Sequence, residues 1–217
     1  MGSRKRVVCF GDSNTWGFIG GTRQRFDEDT RWTGRLQTLL GDGYAVVEEG
    51  LNGRTTVFRN PVVPYTNAED HIKPILLSAA PIDLLILMLG GNDFQIQIAS
   101  TPDATAYGMV HLIQEARAMG LDRPGETMRI LLIAPTVMDE SRLSFKELDC
   151  VDRQTLESSR KLPALLKTVA KLNDCEFLDA NDYIVPGRVD GTHWDADGHR
   201  IMADVIYREV KRIFKES

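Results

Sequence analysis

The sequence feature that most constrains the fold is a continuous apolar run at residues 84–89, Leu-Leu-Ile-Leu-Met-Leu. A strand with one face in water alternates polar and apolar residues. This run does not alternate, which is typical of a strand buried on both faces. Gly90-Gly91-Asn92-Asp93 follows directly and ends the strand. We therefore expect residues 82–89 to form a central strand of a parallel sheet, with helices covering both sides.

Strand-like and helix-like patterns alternate along the rest of the chain. Apolar or β-branched runs predict further strands over residues 7–10, 44–49, 129–134 and 175–178. Helical spacing of apolar residues predicts helices over residues 32–40, 69–77, 102–119, 155–172 and 196–214. This alternation predicts a three-layer α/β/α sandwich with a five-stranded parallel sheet and right-handed crossovers. We expect the strand order 2-1-3-4-5.

The chain has the length and continuity of one domain. We expect a single domain over residues 1–217, with an N-terminal tail at residues 1–5, because no linker or repeat divides the sequence. Residues 136–154 are charged and irregular, and we expect this insertion to cover a site or a neighbouring subunit. Pro163 lies inside the fourth predicted helix, where it predicts either a kink or a later start.

Composition argues against several classes of function. The net charge is −5 and the pI is about 5.4, with no basic run, so we expect no nucleic-acid partner. No apolar stretch is long enough to cross a membrane, and none precedes the first strand as a signal peptide would, so we expect a cytoplasmic protein. The three cysteines, Cys9, Cys150 and Cys175, are widely spaced and form no disulfide or metal pattern.

Polar or turn-forming residues follow four of the predicted strands. Ser13 comes after the first strand, Gly53 after the second and Asn92 after the third, while Asp190 and His193 follow the fifth. The carboxyl ends of parallel strands lie at one edge of a sheet, so we expect these residues to project from the same edge. Each motif alone is ordinary turn sequence. Their recurrence at one edge is what indicates a site.

Acyl transfer is the chemistry that needs this set of residues. A serine hydroxyl such as that of Ser13 is a poor nucleophile until a neighbouring base removes its proton. His193 is the candidate base, and Asp190, three residues earlier, can orient its imidazole. The developing oxyanion needs donors, which the backbone N–H groups of Ser13 and Gly53 and the carboxamide of Asn92 can supply.

Other kinds of site fit the sequence less well. Asp190-x-x-His193 is half of a metal site, but no pair that includes His71, His111 or His199 has zinc-site spacing. Phosphate-binding motifs are missing, because the sequence contains neither Gly-x-Gly-x-x-Gly nor Gly-Lys-Ser/Thr. We therefore expect no metal site and no phosphate-binding loop.

Four residues beside the motifs are candidate substrate contacts, namely Asp12, Trp16, Phe94 and Trp194. Aromatic rings are packing residues more often than ligand contacts. Trp16 and Trp194 lie so close to the predicted triad, however, that they could wall a small acyl pocket.

Taken together, the motifs resemble those of a known family. Four blocks, Gly11-Asp12-Ser13-Asn14, Gly53, Gly90-x-Asn92-Asp93 and Asp190-x-x-His193, resemble the SGNH hydrolases, also called GDSL-type esterases. The residues flanking the first two blocks are similar to the bacterial arylesterase/acyltransferase branch. The resemblance spans nearly the whole chain. Asn14 departs from it, standing where leucine is common, and residues 136–154 match nothing in the family pattern.

The resemblance implies both a mechanism and a substrate class. It implies Ser13 as nucleophile, His193 as base, Asp190 as its partner, and Ser13, Gly53 and Asn92 as the oxyanion hole. It also implies a flavodoxin-like sheet, no cofactor, short acyl groups and often oligomers.

We therefore expect a serine esterase that cleaves short-chain acyl esters, chiefly acetyl, of aryl alcohols, sugars or other small molecules. Acyl transfer to alcohols is a further hypothesis, and we expect a homo-oligomer built through residues 18–30 and 136–154. The alternatives are a non-catalytic domain that binds a small ligand, and a lipase or thioesterase of the same family that prefers longer acyl chains.

Overall fold

The computed structural model describes residues 4–142 and 150–216 of the chain. Five strands form a single sheet in the order β2-β1-β3-β4-β5, and every neighbouring pair is parallel. The predicted sheet and strand order are confirmed. The strands are β1 (Lys5–Gly11), β2 (Tyr44–Gly50), β3 (Leu84–Met88), β4 (Arg129–Ala134) and β5 (Glu176–Asp179).

Helices connect the strands as predicted, with ends shifted by up to two residues. They are α1 (Ser13–Trp16), α2 (Trp32–Leu40), α3 (Ala68–Ala79), α4 (Pro102–Ala118), α5 (Arg153–Leu172) and α6 (Ala196–Ile213). The short α1 was not predicted as a helix. Its four residues are too few to show helical spacing of apolar residues.

Two apolar cores lie on opposite faces of the sheet, as period-two alternation of buried strands requires. One core contains Val8 and Phe10 of β1, together with residues of α3, α4 and α5. The other contains Val7 and Cys9, together with residues of α2 and α6. Each buried strand therefore supplies side chains to both cores, which is why its sequence is apolar without alternation.

Three predicted boundaries need correction. The helix that contains Pro163 does not start later than predicted; it starts earlier, at Arg153. The Asp152 carboxylate caps this start by accepting the backbone N–H of Thr155 at 2.7 Å. β3 is shorter than residues 82–89, although Ile82 and Leu89 are buried. The apolar residues at the two ends of this run are therefore buried without belonging to the paired strand. The tail is shorter than residues 1–5, because Lys5 already pairs in β1.

The predicted insertion at residues 136–154 is described only in part. Residues 143–149 lie outside the described residues, and residues 153–154 belong to α5. Residues 136–142 are irregular except for one 3-10 turn, Glu140–Arg142. Asp139 donates its backbone N–H to the carbonyl of Gly191 at 2.9 Å, so this segment packs beside the loop that carries the predicted triad residues. Within residues 4–142 and 150–216, no helix combines the length and apolarity that crossing a membrane requires.

Candidate active site

Ser13 is the first residue of α1, directly beyond the carboxyl end of β1. The carboxylate of Asp12 caps this turn by accepting the backbone N–H of Asn14 at 3.0 Å. The turn lies tightly against β2, where a Cβ on Gly50 would stand 2.2 Å from the backbone nitrogen of Trp16. Glycine at position 50 therefore lets α1 approach the sheet and holds Ser13 at its edge.

The predicted triad residues meet at this edge. His193 Nε2 lies 3.0 Å from Ser13 Oγ, and His193 Nδ1 lies 2.8 Å from Asp190 Oδ2. The second carboxylate oxygen, Asp190 Oδ1, accepts the backbone N–H groups of Thr192 at 3.0 Å and of His193 at 2.9 Å. The carboxylate therefore fixes the backbone and the imidazole of the same histidine.

The surroundings of Asp190 keep its carboxylate ionised, as a partner of the His193 imidazole must be. Its side chain is fully buried, and burial alone would raise its pKa. The hydrogen bonds from His193 and from the backbone N–H groups outweigh this effect and hold the pKa below its ordinary value. An ionised Asp190 accepts a hydrogen bond from Nδ1–H of His193, which leaves the Nε2 lone pair facing the Ser13 hydroxyl.

The loop over residues 17–26, here called the ribbon, packs against His193 and Asp190. Its two sides meet at an isolated antiparallel bridge between Phe18 and Arg25. The Phe18 ring centroid lies 4.5 Å from that of His193. A Cβ on Gly20 would stand 2.5 Å from Asp190 Oδ2, so the backbone at Gly20 lies directly against the carboxylate. The sequence analysis placed residues 18–30 in an oligomer interface and did not place them beside the triad. Phe18, close to the first motif, is the signal that could have indicated this contact.

The candidate oxyanion side is formed by the turns after β2 and β3. Gly53 adopts a φ of +75°, a left-handed conformation that favours glycine, in the turn after β2. Asn92, after β3, donates Nδ2–H to the carbonyl of Arg54 at 3.1 Å. The turn after β2 also contacts β1, because Leu51 donates its backbone N–H to the carbonyl of Gly11 at 3.1 Å. The structure thus brings all the predicted catalytic positions to neighbouring turns.

Asp93 clamps these turns from inside the protein. It is fully buried, and its Oδ1 accepts the backbone N–H of Thr56 at 2.8 Å. Its Oδ2 accepts the Thr56 hydroxyl. Burial raises the pKa of Asp93 to about 6, although these hydrogen bonds oppose the rise. Asp93 therefore holds the segment after β2 against the segment after β3, and an asparagine at this position could make the same two contacts.

Arg54 is a buried cation that the sequence analysis did not single out. Its Nη1 donates to the carbonyls of Gly11, at 2.9 Å, and of Glu49, and its guanidinium lies 4.1 Å from the Phe10 ring centroid. Burial lowers its pKa to about 10, so the group stays charged at neutral pH. Burial raises the pKa of the nearby Asp12 to about 6, and the positive charge of Arg54 opposes that rise.

Two of the four candidate substrate contacts are placed in the cores. Trp194 is 1% exposed, packs in the core beside α6, and donates Nε1–H to the hydroxyl of Thr136 at 3.0 Å. Phe94 is 2% exposed and packs in the core beside α4. The structure therefore uses both rings for packing, and we do not propose them as substrate contacts. Asp12 is buried as the cap of α1, while Trp16 keeps part of its surface and packs 6.4 Å from Phe18.

The contacts of Ser13 with His193 and of His193 with Asp190 form the nucleophile–base–acid arrangement of a serine hydrolase. Residues 9–201 match the GDSL-like lipase/acylhydrolase family, and the chain belongs to that family. Within residues 4–142 and 150–216, no three His, Cys, Asp or Glu side chains group as metal ligands would.

Solved structures of esterases are similar to the whole chain. A carbohydrate acetylesterase from Sinorhizobium meliloti is 32% identical, with a TM-score of 0.89, over 97% of this chain and 100% of that one. An M. smegmatis aryl esterase is 28% identical, with a TM-score of 0.87, over 96% and 99%. A putative arylesterase from Agrobacterium tumefaciens is 27% identical, with a TM-score of 0.82, over 96% and 99%. No curated protein sequence matches the chain.

Proposed function

We propose that this esterase hydrolyses short-chain acyl esters, chiefly acetyl esters of sugars or aryl alcohols, through an acyl-Ser13 intermediate. The observation that carries the proposal is the pair of contacts of His193, 3.0 Å from Ser13 Oγ and 2.8 Å from Asp190. The substrate class is supported by the similarity to a carbohydrate acetylesterase and an aryl esterase.

In the proposed acylation step, Ser13 Oγ attacks the ester carbonyl carbon while His193 Nε2 accepts the hydroxyl proton. The carbonyl oxygen becomes an oxyanion that accepts hydrogen bonds from the backbone N–H groups of Ser13 and Gly53 and from Asn92 Nδ2. When the tetrahedral intermediate collapses, the C–O bond to the alcohol breaks. His193 gives its proton to the departing alkoxide, and the acyl group stays on Ser13.

Deacylation repeats the sequence with water as the nucleophile. His193 accepts a proton from water, the hydroxide oxygen bonds to the acyl carbon, and the same donors hold the oxyanion. Collapse breaks the bond to Ser13 Oγ, which takes the proton back from His193. Asp190 remains ionised throughout and stabilises the imidazolium that forms in each half of the reaction.

A panel of substrates tests the proposal. Acetylated sugars and a chain-length series of aryl esters are assayed side by side, with Ser13→Ala as the blank, and an added alcohol tests acyl transfer. We expect turnover that falls as the acyl chain lengthens and disappears in Ser13→Ala. A preference for long chains would support the lipase or thioesterase alternative. Folded protein that a fluorophosphonate fails to label at Ser13 would support the non-catalytic alternative.

A further inference from the structure

The side chain of Asn14 joins the two halves of the candidate site. Its Oδ1 accepts the backbone N–H of Trp194 at 2.9 Å, and its Nδ2 donates to the backbone carbonyl of Thr192 at 3.4 Å. These two backbone groups belong to the residues on either side of His193. One buried carboxamide, next to Ser13 in the sequence, therefore hydrogen-bonds to the backbone on both sides of the histidine.

We propose that Asn14 is a positioning residue that sets the distance between the Ser13 hydroxyl and the His193 imidazole. The inference rests on the proposed function, in which these two groups are nucleophile and base. They come from segments 180 residues apart in the chain, so their 3.0 Å separation depends on contacts between the segments. The Asn14 carboxamide makes such contacts: Asn14 follows Ser13 directly, and it bonds to the two neighbours of His193 in the chain.

Asn14 is itself held from the side of the protein core. Its backbone carbonyl accepts the Nε1–H of Trp32 at 3.0 Å, and Trp32 is fully buried. Its backbone N–H is bound by the Asp12 carboxylate. Backbone and side chain of Asn14 are thus both fixed, so the carboxamide can transmit the position of α1 to the loop that carries His193.

Capping of α1 does not account for the Asn14 side chain. Asp12 already caps the turn, and the Asn14 carboxamide bonds to residues outside it. A leucine at this position has a similar volume but leaves the backbone N–H of Trp194 without its acceptor. A buried unpaired donor is costly enough to favour a shift of the loop. Such a shift would move the imidazole away from Ser13.

Thr15 provides a matched control on the same helical turn. It is as buried as Asn14, and its Oγ1 is without a hydrogen-bond partner among the residues that the structure describes. Asn14→Leu and Thr15→Val therefore both replace a buried polar side chain by an apolar one of similar size. Only the first change removes contacts to the loop of His193.

The experiment compares Asn14→Leu and Thr15→Val with the wild-type protein on one aryl acetate. Active sites are titrated with a fluorophosphonate, and kcat, KM, the rate of Ser13 labelling and the thermal unfolding midpoint are measured. We expect Asn14→Leu to lower kcat and the labelling rate by about 10- to 100-fold, as misplacement of reacting groups by about 1 Å does, with KM nearly unchanged. Thr15→Val is expected to keep the wild-type kcat.

The inference is overturned if folded Asn14→Leu keeps the wild-type kcat per active site, or if only its unfolding midpoint falls. Should Asn14→Leu fail to fold, Asn14→Ser gives the same test, because its hydroxyl is too short to replace both contacts. Wild-type turnover together with an inactive Ser13→Ala establishes the proposed function separately. A wild-type kcat in the Asn14 variants would then refute the inference alone.

Discussion

The side chain of Gln95 donates its Nε2–H to the carboxamide oxygen of Asn92 at 2.8 Å. Gln95 Oε1 is held in turn by Nε2–H of Gln97 at 2.7 Å and by Nδ2–H of Asn60 at 3.3 Å. A carboxamide can present either end to a substrate. Because Gln95 binds the oxygen of Asn92, the nitrogen is the end that remains to donate to the backbone carbonyl of Arg54 and to an oxyanion.

Replacement of Gln95 by leucine should therefore weaken catalysis through Asn92. We expect kcat to fall by about 10-fold, less than the roughly 10²- to 10³-fold cost of removing an oxyanion donor outright. A double-mutant cycle with Asn92→Ala checks this, since Gln95→Leu should cost nothing further in that background. Gln97→Leu, which removes one contact to Gln95, serves as the milder control. Additive losses in the cycle would contradict the role of Gln95.

Asp190→Asn should lower the rate by about 10⁴-fold, as amidation of a triad aspartate does in serine proteases. The asparagine could present a donor to Nδ1 of His193, which would favour the tautomer whose Nε2 carries the proton. Such an imidazole cannot accept the Ser13 proton. Steady-state kinetics on an aryl acetate measures the loss, with circular dichroism as the check on folding. A near-normal rate would remove Asp190 from the proposed mechanism.

Gly20→Ala should reduce activity even though Gly20 is remote from Asp190 and His193 in the sequence. The new Cβ would stand 2.5 Å from Asp190 Oδ2, so the ribbon or the carboxylate must move. We expect kcat to fall by about 10-fold or more, because Asp190 orients the imidazole. Gly43→Ala is the matched control, since a Cβ there meets nothing within 4 Å. Equal kcat values for the two variants would show that the ribbon does not constrain the triad.

The raised pKa of Asp93 should make the free energy of unfolding depend on pH. Burial raises its pKa from 3.8 to about 6 in the folded protein, so between these values the folded state holds a proton that the unfolded state releases. This group therefore makes the protein less stable as the pH rises from about 4 to 6, with no further change above. The difference corresponds to about 3 kcal/mol.

Asp93→Asn tests this dependence because asparagine can keep both contacts with Thr56. Urea unfolding of the two proteins between pH 4 and pH 7 gives their difference in free energy of unfolding. We expect the variant to gain stability relative to the wild-type protein as the pH rises to about 6. A difference that is constant with pH would show that Asp93 titrates in the folded state as it does in the unfolded state.

The sequence predicted the strands well because a strand that is buried on both faces has a continuous apolar sequence. β4 has the predicted bounds, and so does α2, whose apolar residues face one core. Boundaries that depend on a single side chain were less predictable. Asp152 starts α5 earlier than Pro163 suggested, and the apolar sequence at Ile82 and Leu89 continues beyond the pairing of β3.

The candidate catalytic residues could be predicted for a similar reason. Strand ends are visible in the sequence, and parallel strands bring their carboxyl ends to one edge, so Ser13, Asn92 and His193 could be placed together in advance. Trp194 could not be placed in this way. Its position next to His193 suggested a pocket wall, but its ring is directed into the core, and only packing against α6 determines that direction.

The sequence by itself determined the alternation of strands and helices, the edge at which the polar residues collect and the kind of chemistry that they suit. These follow from local patterns, since period and turn residues act over a few positions. Only the tertiary structure decided that Asn14 hydrogen-bonds to the loop of His193, that Gly20 packs against Asp190 and that Gln95 orients the carboxamide of Asn92. Each of these contacts joins separate turns or loops at hydrogen-bonding or van der Waals range. Their geometry depends on packing of the whole chain, which no local pattern encodes.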